Sequence, residues 1–310
     1  MEQFNWKFEK APKYLQIETT IVCQAVCSFC PQKKATRRPL FMDESLIDKI
    51  ISETRGLGIV YRPFILNEPF ADKRMPTIVR NIKKDPTAKV EFNTNGELVT
   101  EKMGRELLDA GVDVMRFSID GIRKETFNEA RGINFDRTYK NVENFIRTAK
   151  QSGHPVDIEV RMIKLPNTED EQIDFKNHWE SVGARVLFTD LYSYPWELQS
   201  EVVLKPCLKV LDQMFVYVSG EVTLCCWDSA ERAVVGNIQT ENTLDIWNGP
   251  ILGRYRDLLG RGERDKILLC SRCDAYKNFD FSRLTLDNPR PDYLQPSASL
   301  GDEAATSILT

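Results

Sequence analysis

Three of the chain's eight cysteines fall in "CQAVCSFC", residues 23–30, with three and then two residues between them. The next cysteine is Cys207. Three thiols on one loop are metal-ligand chemistry. A structural zinc takes four protein ligands, and only His154 and His178, both far along the chain, stand available to complete such a set. An iron–sulfur cubane held by Cys23, Cys27 and Cys30 has one iron left without a protein ligand. That iron can take a substrate or cosubstrate, by the logic that leaves an open position on a catalytic zinc.

Cys207, Cys225, Cys270 and Cys273 form a second set of four thiols. Gly220 lies between the first two in "SGEVTLCC", where a hairpin turn returns the chain, and Cys270-x-x-Cys273 supplies the other pair. Zinc and iron–sulfur ligation stand equal for this set on its residues alone. Cys226 adjoins Cys225, and successive strand residues face opposite sides, which places it outside the set. It reads as a small buried residue or as a thiol facing a substrate. Trp227 and Asp228 read as hairpin residues.

The rest of the composition points to an ordinary globular protein. Of 310 residues, 42% are hydrophobic and 28% charged, and the net charge of −4 supplies no field that would gather nucleic acid or anionic lipid. The aromatic residues form no basic-aromatic array, so nucleic-acid binding is not expected. No apolar run reaches the roughly 18 residues of a membrane span, and the start "MEQFNWKFEK" lacks a signal-peptide core. A cytoplasmic protein without membrane contact is expected. In a reducing compartment, clustered cysteines are metal or redox groups rather than disulfides.

The cysteine loop follows a strand, "YLQIETT" (14–20), and a regular alternation follows the loop. Helix 43–58 carries Leu46, Ile47, Ile50 and Ile51 on one face, and Gly56 or Gly58 ends it. Then come strand 62–66, helix 75–84, strand "KVEFN", helix 100–110 and strand "DVMRFSI". Helices 123–130 and 136–151, strand "DIEVRMI", helix 169–181 and strand "RVLFTDL" complete the series. Six such units imply an α/β fold with a parallel sheet, as a partial (β/α)6 TIM-like barrel or a doubly wound sheet. After about residue 205 the pattern changes to a hairpin and a short helix near 243–259. The expected domains are 14–195, 205–284 and a mobile tail, 285–310, rich in proline and serine.

Cys-x3-Cys-x2-Cys after the first strand of a β/α chain, with Phe29 before the last cysteine, resembles the radical S-adenosylmethionine (SAM) superfamily. The resemblance implies a partial barrel whose open-iron [4Fe–4S] cluster binds SAM through its amine and carboxylate. It also implies reduction by a flavodoxin- or ferredoxin-like donor. The strand ends carry matching motifs in "NEPF", "NTNG" and "SIDG". Carried over, they make Glu68 the acceptor of the SAM ammonium, with Asn67 standing where the family has glycine. Asn93 or Asn95 reaches the ribose or shapes a turn, Ser118 touches the cosubstrate and Asp120 is a turn residue. Arg131, with Arg161 as a second candidate, pairs with the SAM carboxylate. The later segments "PC", "SGEVTLCC", "VGNI", "TLDIWNG" and Cys-x-x-Cys resemble the SPASM/twitch extensions. That resemblance implies a twitch-type β-hairpin and helix domain with one auxiliary [4Fe–4S] cluster ligated by the four-thiol set.

Twitch-type radical SAM dehydrogenases imply oxidation of an alcohol carbon, with the auxiliary cluster accepting an electron. A small polyol, aminocyclitol or sugar-like substrate is expected, since no leader-binding segment precedes the first strand. A peptide substrate, as in sulfatase maturation, and an epimerisation in which Cys226 returns a hydrogen atom are the alternatives. So is a metal-bound scaffold without catalysis. Arg161, Asp190 and Tyr192 lie near strand ends where a base would act.

Overall fold

The computed structural model describes residues 8–34, 37–191, 207–271 and 273, so the expected tail and Tyr192 lie outside the described residues. Two compact units emerge. One comprises residues 15–191 with 217–219; the other takes the described residues of 8–14, 207–216 and 220 onward.

The first unit follows β1 (Tyr14–Ile17) with α1 (Glu44–Glu53), β2 (Val60–Arg62), α2 (Met75–Ile82), β3 (Lys89–Thr94) and α3 (Glu101–Ala110). It continues through β4 (Val114–Ser118), α4 (Lys124–Arg131), α5 (Phe135–Ser152), β5 (Asp157–Lys164), α6 (Gln172–Val182) and β6 (Arg185–Asp190). Strands β1 to β6 lie side by side in chain order, and the pairs from β2 to β6 are parallel. A doubly wound sheet reverses its strand order at a switch point. None occurs here, and the unit is a partial TIM-like barrel.

Alternation along each strand separates two faces. Val90, Phe92, Met115, Phe117, Val160 and Met162 are all fully buried on the helix side. There Phe117 meets Phe145 of α5 at 5.5 Å, and Phe188 meets Phe175 of α6 at 6.1 Å. The opposite face carries Arg62, Glu91, Asn93, Arg116, Ser118, Glu159 and Arg161. The helices start where side chains can cap them: Asp43 accepts from Ser45 N at 2.8 Å, and Ile47, Ile50 and Ile51 of α1 are buried.

Strand two departs from expectation. It runs over Val60–Arg62 rather than 62–66, with Ile59 and Tyr61 buried. Pro63 lacks the N–H that a continuing ladder needs, so the chain leaves the sheet there.

The second unit contains α7 (Lys209–Asp212), β7 (Gln213–Val216), β8 (Glu221–Thr223), β9 (Val234–Asn237), α8 (Thr243–Asn248) and α9 (Pro250–Gly260). The expected hairpin is β7–β8, and β9 adds a third antiparallel strand. The single helix expected near 243–259 is two helices. Gly249 is extended and Pro250 opens α9 at a first-turn position that needs no N–H. Arg256 is 2% exposed, donates to Val210 O and Trp247 O at 2.9 and 2.7 Å, and stacks on Phe8 and Trp247. It thereby ties both helices to α7 and to the N-terminal segment. Among the described residues no helix is long and apolar enough to cross a membrane.

Candidate cluster and cosubstrate site

The cysteine loop leaves β1 and closes back on itself. Ile21 N donates to Leu40 O, Met42 N to Thr19 O and Gln32 Nε2 to Ile21 O. Its crown docks on the end of α4, where Val26 N and Ser28 N donate to Arg131 O and Ala130 O at 3.0 and 3.1 Å. Gly132 permits this approach. Its φ is +62°, and a Cβ there would stand 2.1 Å from Val26 Cγ2.

Cys23, Cys27 and Cys30 are half-buried free thiols. Burial, then the charge of Glu68, with smaller contributions from Cys27 and Cys30, pushes the Cys23 thiol up to about 12. Thiols that disfavour one another's ionisation lose that penalty when a cationic centre binds them. Among the described residues no three Cys, His, Asp or Glu side chains converge on one metal ion. The sulfurs are soft, loosely gathered ligands, a donor set that fits an iron–sulfur cluster.

Arg131 stands beside them. Its Nη1 lies 3.5 Å from Cys27 Sγ, its guanidinium lies over the Phe29 ring at 5.4 Å, and it pairs with Asp120. Asp120, expected only to shape a turn, is 1% exposed and also accepts from Ile163 N at 2.7 Å. It is a buried anchor that joins β5 to the arginine at the cluster loop.

Glu68 lies 2% exposed between two strand ends. Its carboxylate accepts from Thr94 Oγ1 at 2.7 Å, Asn95 N at 2.9 Å and Phe70 N at 3.3 Å, while its own N–H donates to Val22 O. Burial outweighs these donors and raises the carboxyl to about 7. A carboxylate accepts about four hydrogen bonds, so one acceptor direction stays open. Asn95 accepts from Gln24 Nε2 and Glu97 N, and Asn67 accepts from Ile65 N; both shape their turns. Asn93 Oδ1 is buried without a hydrogen-bond partner. Ser118 ends β4 and pairs in register with Arg161, which is held by Glu159. Asp190 is an exposed partner of Lys164 at 3.2 Å.

Sequence reasoning missed a charged row across the open face of the sheet. Glu91 Oε2 accepts from Arg62 and Arg116, while Glu159 meets Arg161 and Arg185. Its signal lay in "VEFN", "VMRFS" and "IEVRMI", where charged residues alternate with buried apolar ones.

In the second unit, Cys207 and Cys270 are buried, and burial with neighbouring thiols raises both. Arg264, 1% exposed, donates to Cys273 O at 3.0 Å and Cys270 O at 3.4 Å, bracing the Cys-x-x-Cys loop. The set fits a fully thiolate-ligated cluster. Cys225 and Cys226 do not sit on a strand, because β8 ends at Thr223; they lie in the following turn. The opposite-face expectation fails for that reason. The Cys226 sulfur instead meets Cys225 and lies 3.4 Å from Lys209 Nζ, and these two partners hold its thiol below the ordinary value. Asp228 closes the turn, accepting from Thr223 Oγ1, Arg232 N and Ala233 N at 2.7–2.8 Å.

A barrel with three thiols on its first loop, followed by a second thiol-bearing unit, has a counterpart among known families. The radical SAM superfamily profile matches residues 17–176, more than half of the chain, and the chain belongs to that superfamily. The SPASM iron–sulfur cluster-binding domain profile matches residues 207–274. The protein is therefore a radical SAM enzyme with a SAM-binding [4Fe–4S] cluster, an auxiliary cluster and SAM as cosubstrate.

Among curated proteins the chain resembles S-adenosyl-L-methionine-dependent 2-deoxy-scyllo-inosamine dehydrogenase of Niallia circulans. The match is 22% identical and covers 86% of this chain and 94% of the relative. The crystal structure of BtrN in complex with AdoMet and 2-DOIA has the same fold, with a TM-score of 0.61, 20% identity and coverage of 86% and 94%. A probable GTP 3',8-cyclase of Methanococcus vannielii is 26% identical over 179 residues; the match covers 57% of this chain and 58% of the cyclase.

Proposed function

We propose that the protein dehydrogenates an alcohol carbon of a small polyol, aminocyclitol or sugar-like substrate. The likeness to the inosamine dehydrogenase along 86% of the chain, cysteine-bearing second unit included, carries this reading. When bound at the two cysteine sets, the iron–sulfur clusters would supply the one-electron chemistry: reductive cleavage of SAM to a hydrogen-abstracting radical and methionine at one, and acceptance of the electron the substrate gives up at the other. Balance then follows: the carbinol C–H hydrogen goes to 5′-deoxyadenosine, the hydroxyl proton goes to a base, and a ketone remains.

Cys23, Cys27 and Cys30 hold the SAM-binding cluster, and Cys207, Cys225, Cys270 and Cys273 hold the auxiliary one. Glu68 takes the SAM ammonium with its open acceptor direction, and Ser118, Asn93 and Asn95 contact the cosubstrate. Arg131 steadies the loop at Cys27 and is the residue assigned to the SAM carboxylate. The Lys209 ammonium, 3.4 Å from the Cys226 sulfur, favours oxidation over hydrogen return. A flavodoxin- or ferredoxin-like protein is the electron donor.

The test is deuterium at the carbinol carbon of candidate polyols, incubated with reconstituted enzyme, SAM and reductant. Label in 5′-deoxyadenosine together with a ketone is the expected result. Recovered substrate that is inverted and carries solvent hydrogen would instead establish epimerisation. Turnover of peptides alone would replace the small-molecule reading.

A further inference from the structure

Among the described residues, the open face of the barrel sheet carries more guanidinium groups than carboxylates paired with them. Glu91 Oε2 is shared between Arg62 Nη2 and Arg116 Nη1, each at 2.9 Å. Glu159 takes Arg161 on one oxygen and Arg185 Nη1 at 2.7 Å on the other, and Arg185 has Asp157 as well at 3.0 Å. Among the described residues, Arg62, Arg116, Arg161 and Arg185 thus face Glu91, Glu159 and Asp157, four positive charges against three negative.

The surplus is concentrated on β4 and β5. Arg161 uses only Nε in its bond to Glu159, so its two terminal nitrogens donate to no described residue. Arg116 uses Nη1, and its Nε is buried without a hydrogen-bond partner, 3.9 Å from Glu159. The two side chains are 28% and 16% exposed, open to a ligand yet shielded enough to make a charge-assisted bond strong. In register, Ser118 stands opposite Arg161 and Asn93 opposite Arg116. Burial, then repulsion from Arg116 and Arg62, outweighs Glu159 and lowers the Arg161 pKa.

We infer that Arg161 and Arg116 form a subsite for an oxyanion carried by the substrate, and that this substrate is a phosphorylated polyol or sugar. The inference rests on the alcohol-oxidising reading above and adds to it a recognition element. A carboxylate fills one guanidinium fork, whereas the two terminal nitrogens of Arg161 together with the remaining Nη2 of Arg116 on the adjacent strand suit the three terminal oxygens of a phosphate monoester. SAM's carboxylate is the other oxyanion that enters the barrel, and the experiment separates the two.

The reconstituted holoenzyme is titrated calorimetrically with inorganic phosphate at constant ionic strength, with and without saturating SAM. The wild-type protein is expected to bind phosphate in both states. Arg161→Gln and Arg116→Gln should each weaken that binding about tenfold or more, with iron content and SAM affinity unchanged. Arg161→Lys, which keeps the charge and loses the fork, should retain weaker binding and serves if the glutamine variant does not load iron. Absence of phosphate binding, or binding unchanged in both glutamine variants, overturns the inference. Displacement of phosphate by SAM, with a matching loss of SAM affinity in Arg161→Gln, overturns it also, by giving the arginine to the cosubstrate. Because no turnover is involved, a failure to oxidise any polyol would count against the reaction and leave this result standing.

Discussion

Replacing Cys23, Cys27 and Cys30 together by alanine is expected to abolish SAM cleavage while the second cysteine set keeps its iron. The two sets belong to separate compact units, the first on the loop after β1 and the second just before α7, in the turn after β8 and in the Cys-x-x-Cys loop. No ligand is shared between them. Anaerobic reconstitution should therefore give about eight irons and eight sulfides per wild-type chain and about four of each in the triple variant. The residual cluster should be reducible and inert toward SAM, the outcome expected when Cys207, Cys225, Cys270 and Cys273 ligate all four of its irons. Loss of essentially all iron from the variant, with zinc at the second set, would remove the electron acceptor and the dehydrogenation with it.

Glu68→Ala is expected to lower the stability of the barrel unit by about 3–5 kcal/mol, because it leaves three buried neutral donors without their acceptor. Three donors from three backbone and side-chain sources converge on this carboxylate. Each is buried, and each left unsatisfied costs about 1–3 kcal/mol before water or local shifts recover part of it. Glu68→Gln keeps an acceptor and the volume, and the loss should fall to about 1–2 kcal/mol. Both variants should bind SAM more weakly, because neither presents a carboxylate to its ammonium. Denaturant titration of the cluster-free proteins measures the first effect, and calorimetry of the reconstituted ones measures the second. Equal stability of Glu68→Ala and wild type would mean that water satisfies the three donors, and unchanged SAM affinity would remove Glu68 from the cosubstrate site.

Much of this was legible because period and spacing are local properties. The β/α alternation and both cysteine sets stand in the chain as patterns, and motifs at strand ends in a parallel barrel are brought to one side by topology. What escaped depends on partners distant in sequence. Asp120 looked like a turn former because "DG" is one anywhere, but its partner Arg131 and its donor Ile163 become neighbours only after β4 and β5 pair. The row from Arg62 to Arg161 could be read strand by strand, yet the excess of guanidinium over carboxylate exists only once the register aligns four strands. Cys226 was misplaced for a local reason. β8 is three residues long, so strand alternation stops before the two adjacent cysteines.

A single turnover without added oxidant tests dehydrogenation most directly. Enzyme whose SAM-side cluster has been reduced by one electron while the auxiliary cluster is oxidised is given one equivalent of SAM and a polyol substrate, and 5′-deoxyadenosine, ketone and cluster oxidation state are quantified together. One ketone per 5′-deoxyadenosine, with the substrate's second electron found on the auxiliary cluster, is the expected result. 5′-Deoxyadenosine formed without ketone, or ketone formed while that cluster stays oxidised and an external acceptor is needed, would contradict it.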